Sequence, residues 1–124
     1  MSRFMGAIDT LVLTTIATGT IAVDRAVTFA GAQATADQKV LGVSKMAAVS
    51  GDAVAVTAIG VRDMISGGAI AAGADVVADA NGNPVAAGAE DLNPFGQALN
   101  TVGGSGARVS ILLRPVSRIV VEGA

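Results

Sequence analysis

The chain has 124 residues, 52% of them apolar, with eight basic and ten acidic side chains and a net charge of −2. That length suits one domain built around one core. No run of lysine or arginine tracks a phosphate backbone and no aromatic is interleaved to stack a base, which argues against nucleic-acid binding; the absence of cysteine excludes disulfides and thiolate metal sites.

The apolar content is mostly alanine and valine, with three Phe and no Trp or Tyr. Each buried alanine stabilises little, because burial contributes roughly 25 cal/mol per Å². Sixteen glycines add chain entropy that folding must overcome. A lone monomer of this composition is short of core, and a partner surface is the natural remedy.

Residues 1–7 read as an N-terminal arm. It holds Arg3, Phe4 and Met5, one of three phenylalanines among them, and docking on a neighbour is the use expected of it. Residues 10–16 alternate Thr10, Val12, Thr14 and Ile16 against Leu11, Leu13 and Thr15, a β-branched strand pattern. The apolar stretch 11–23 is interrupted by four threonines and Gly19, so it suits neither a membrane span nor a signal peptide. A threonine-rich strand pair is expected there. Residues 26–29 and 40–46 give two further short strands.

Gly51-Asp52 launches a strand over 53–61, and Gly67-Gly68 and Gly73 precede Val76-Val77-Ala78. Asn81-Gly82 is expected to supply left-handed backbone angles for a hairpin. Alanine favours helix, so one short helix over 86–92 is allowed for. Gly103-Gly104-Ser105-Gly106 is a hairpin tip. Beyond it Val109, Ile111 and Leu113 face the core, while Arg108, Ser110 and Arg114 face water. Pro115 ends that strand, and 116–121 form a β-prone edge or tail with apolar Ile119, Val120 and Val121. Met46 and Met64 read as core filler.

Chemistry is scarce. There is no His, Cys or Tyr to serve as base or nucleophile. Ser105 lacks both an activating histidine and the closing glycine of a nucleophile elbow. The stretch Asp79-Ala80-Asn81-Gly82-Asn83 begins like a calcium loop, but Pro84 stands where the sixth position needs glycine. Asp75 and Asp79 share a strand face, yet a glycosidase would add aromatic sugar platforms. No catalytic residue, metal ligand or cofactor site is expected.

Two stretches carry a family resemblance. Ile70-Ala71-Ala72-Gly73-Ala74-Asp75-Val76 is followed by Gly82-Asn83-Pro84-Val85, an order that resembles the turn and hairpin of bacteriophage capsid decoration (cement) proteins. The likeness runs from about Leu11 to Leu113. It implies a structural virion protein made in the host cytoplasm. Such a protein sits on the outer surface of an assembled head and binds the major capsid protein, so stabilising the capsid by bridging capsomers.

The expected fold is all-β, a small single-domain β-barrel or β-sandwich with short strands, at most one short helix and extended arms at both ends. Residues 1–7 form the first arm, 8–114 the β core, and 115–124 the C-terminal strand or tail. Arg3, Phe4, Met5, Ile119, Val120 and Val121 are the expected capsid or subunit contacts. The partners are the major capsid protein and further copies of the chain, as a homotrimer or alternatively a dimer, with no nucleic acid and no membrane. The alternative function is a non-catalytic β-rich adhesion or peptide-binding module.

Overall fold

The structure, a computed structural model, describes residues 8–88, 91 and 93–113. Among them are eight strands and no helix: β1 (Ile8–Ile16), β2 (Ala26–Thr28), β3 (Val40–Ser44), β4 (Ala53–Ile65), β5 (Asp75–Ala78), β6 (Pro84–Ala86), β7 (Gly96–Ala98) and β8 (Arg108–Leu113). The helix allowed for over 86–92 is absent where those residues are described. Ala86 closes β6 instead, and Gly88 is tied into a turn by the Asp91 carboxylate at 2.6 Å.

Strand β4 organises the sheet. Val56 and Thr57 pair with Leu13 and Val12 of β1 and also with Ser44 and Val43 of β3. Gly60 and Val61 pair with Asp9 and Ile8 of β1 and also with Leu113 and Leu112 of β8. So β1 holds one edge of β4, while β3 and β8 follow one another along the other. From there the order runs β8-β7-β5-β6 one way and β3-β2 the other. All the pairings are antiparallel.

The two ends of this sheet meet. Ala26 N–H of β2 donates to Gly82 C=O in the β5–β6 turn at 2.9 Å, and Asp37 N–H donates to Ala78 C=O at 3.0 Å. The Arg25 guanidinium adds a bond to Asn81 C=O at 2.8 Å. The result is a nearly closed barrel, which leaves few edges unpaired.

Two apolar clusters fill it. The larger gathers Met64, Ile70, Val76, Phe95, Val109, Ile111 and Leu113 with small alanines between them. The smaller packs Ile21, Val27, Val54 and Val56 with Ala17 and Ala48. Strand β4 serves both, giving Val54 and Val56 to one and Met64 to the other. Phe95 is the single aromatic buried among the described residues, since Phe29 is 62% exposed.

Several expectations change in detail. Strand β1 pairs with β4 rather than with the strand after it, and β4 runs on to Ile65. In the β5–β6 hairpin only Gly82 takes a positive φ, +77°, and Asn81 does not. Asp79 does the remaining work, its carboxylate accepting from Asn81 N–H at 2.7 Å and Asn83 N–H at 3.0 Å. Ser110 is buried, not wet: its hydroxyl donates to Asp63 at 2.6 Å, and its N–H donates to the Asn100 side chain at 2.8 Å. Met64 lies in the core as expected, but Met46 is half exposed. The glycine-rich connection 103–106 does join β7 to β8.

Candidate functional site

The feature that stands out against this frame is β1. Nine residues long, it is held by β4 along one edge, and its outer edge has no strand partner among the described residues. Its side chains are little covered as well, with Ile8, Leu11, Val12, Leu13 and Ile16 all exposed. A long apolar edge strand is what soluble chains usually avoid, because its free N–H and C=O groups invite another strand.

Leu11 and Leu13 of β1 also form one wall of a groove of about 400 Å³. Exposed Phe29 lines it too, as do Val40, Leu41 and Ile59 and the buried Phe95 and Leu113. The segment after β6 closes the far wall, fixed there by Asn93, whose N–H and amide reach Asp37 at 2.9 and 2.8 Å. Lys39 is the one charged residue among the described lining, and it has no ion-pair partner among the described residues. Phe29 follows directly on β2, and Gly31 at φ +87° lets the turn beyond it pass against the Ile16 carbonyl.

Polar contacts fix the start of β1. The Asp9 carboxylate accepts from Lys45 Nζ at 2.6 Å and from Thr57 Oγ1 at 2.8 Å, with Arg62 at 3.7 Å. Arg62 in turn donates to Asp24 at 2.6 Å. The Lys45 hydrogen bond, then that from Thr57, holds the Asp9 carboxyl below its ordinary value; partial burial opposes them, and the charges of Lys45 and Arg62 add to the lowering. These contacts tie the start of β1 to β4 and to the residue after β3.

Among the described residues no three His, Cys, Asp or Glu side chains gather as a metal site, and Asp79 is engaged by its own turn. Arg3, Phe4, Met5, Ile119, Val120 and Val121 all lie outside the described residues. The exposed β1 edge and Phe29 were not singled out from the sequence. One signal was present: Ile8, Leu11, Val12, Leu13 and Ile16 put large apolar groups on both faces of one strand, and such a strand asks for cover on both sides.

This architecture can be set against known proteins. The N base of the head fiber gp8.5 of bacteriophage phi29 is similar in structure, with a TM-score of 0.68 over 89% of this chain and 98% of that one, at 16% sequence identity. That likeness concerns the fold. No curated protein matches the chain. The family model for phage cement proteins matches residues 6–114, nearly the whole chain. The chain belongs to the phage cement protein family.

Proposed function

We propose that the protein decorates the outside of an assembled phage head and stabilises it by bridging capsomers, working as a homotrimer. The observation that carries this reading is the uncovered apolar surface of β1, Phe29 and the groove, in a chain of a family of virion structural proteins. A surface of that kind on a small chain marks an interaction site. The similar phi29 domain is itself the base of a head fiber, which favours attachment at the head. A trimer would present three equivalent patches where three capsomers meet, and weak contacts made together reinforce one another.

In this reading residues 8–114 are the core, and 1–7 and 115–124 are arms whose Arg3, Phe4, Met5, Ile119, Val120 and Val121 touch capsid or neighbouring copies. The protein is not an enzyme. The test is co-sedimentation with purified capsids: saturable binding supports decoration, and a protein left in the supernatant rejects it. A second reading, a peptide-binding module, draws on the outer edge of β1, which has no strand partner among the described residues and could accept an added strand. Binding of short extended peptides without capsid binding would favour it.

A further inference from the structure

We infer that the groove between β1, Phe29 and Phe95 receives the C-terminal residues Ile119, Val120 and Val121 of a second copy of this chain, with Glu122 of that copy meeting Lys39. The inference rests on the self-association read above.

Three observations lead to it. First, the groove is apolar, at about 400 Å³ within the size range of clefts that hold compact ligands, and its single described charge is Lys39. The segment Ile119-Val120-Val121-Glu122 has the matching order, three aliphatic residues and then a carboxylate. The other terminus, residues 1–7 with Arg3, Phe4 and Met5, has no carboxylate to meet Lys39.

Second, the eleven residues 114–124 start at the groove, because Leu113 is part of its lining. Pro115 has no N–H to extend the ladder and biases Arg114 towards extended backbone. Third, the run Arg114-Pro115-Val116-Ser117-Arg118 contains no Gly, Asn or Asp to take the left-handed backbone of a tight hairpin reversal, and its Pro115 and Ser117 suit only turns without such angles. Continued in extended form, it carries Ile119 about 20 Å from Leu113, at ~3.3 Å per residue. That overshoots the chain's own groove and puts the aliphatic triplet within reach of a neighbour's.

The protein has no cysteine, so single thiols can be placed without interference. Phe29→Cys, at an exposed position, and Val120→Cys are made as separately tagged chains and refolded together. Docking holds the two thiols at millimolar effective concentration, so the mixed disulfide should form at least ~10-fold faster than with a Val49→Cys control in place of Phe29→Cys. Val49 is exposed and does not line the groove. A rate equal to the control would overturn the proposal. So would a Phe29→Cys/Val120→Cys chain that closes only within itself, or faster coupling of Phe29→Cys to Met5→Cys. The readout uses purified protein without capsids, so it can fail while co-sedimentation succeeds, and the reverse.

Discussion

Lys45 donates to Asp9 across 2.6 Å, joining the residue after β3 to the second residue of β1. With Thr57 on the same carboxylate, this contact anchors the start of a strand whose other edge has no strand partner among the described residues. Because β1 carries the exposed apolar row and one wall of the groove, its attachment is the point where stability and proposed function depend on the same residues.

That attachment is sensitive to pH. The folded Asp9 carboxyl titrates below its ordinary value of 3.8, so folding favours its ionised form. The contribution is fully present above 3.8 and is lost as pH falls through the lower folded value. In denaturant titrations, Asp9→Asn should be less stable than the native chain at about pH 6, with the gap closing towards about pH 2. A gap that is unchanged at low pH would show that the carboxylate's charge does no work here.

Core truncation should be severe, because so few large residues fill the barrel. Ile111 is fully buried in the larger cluster. Ile111→Ala should lower unfolding free energy by about 2–5 kcal/mol. Equilibrium urea unfolding with an unchanged m-value would measure it, and a loss under about 1 kcal/mol would mean the site collapses around the cavity.

Gly60 is required by conformation and by space. Its φ is +141°, and a Cβ there would run into the Ile8 carbonyl, where β1 bulges against β4. Gly60→Ala should destabilise by about 1–3 kcal/mol through backbone strain and displacement of β1. Amide exchange should accelerate over 8–16 before the rest of the barrel. Uniform protection with native stability would contradict the account of this junction.

Asp79→Ala removes the acceptor for two backbone N–H groups in the β5–β6 turn. A loss of about 1–3 kcal/mol is expected, and Asp79→Asn, which keeps an acceptor oxygen, should recover part of it. Added calcium should leave the native melting temperature where it was. A calcium-dependent rise abolished by Asp79→Ala would assign the turn to a metal instead.

How far the sequence foretold this fold differs by element. Strand β8 was legible because Val109, Ile111 and Leu113 alternate without interruption, and the hairpin after Ala78 because Gly82 needs a permissive backbone. Ser110 was misread as wet: periodicity reports which face a residue takes, but Asp63 and Asn100, which cover it, come from 47 and 10 residues away. The three-residue strand at Gly96 carries too little pattern to stand out. The groove was hidden for the same reason. Its walls come from β1, the turn at Phe29, β3, β4 and the segment at Asn93, and no local spacing brings those together. The family was legible in the Ile70–Val76 and Gly82–Val85 stretches, whose turn chemistry is local.

The central claim is attachment as a trimer to the outer face of a phage head. Image reconstruction of heads decorated with the protein tests it most directly. The account predicts added density outside the capsid shell at local threefold positions, three copies to each. Density centred on twofold axes, single copies on capsomer centres, or no density outside the shell would contradict it.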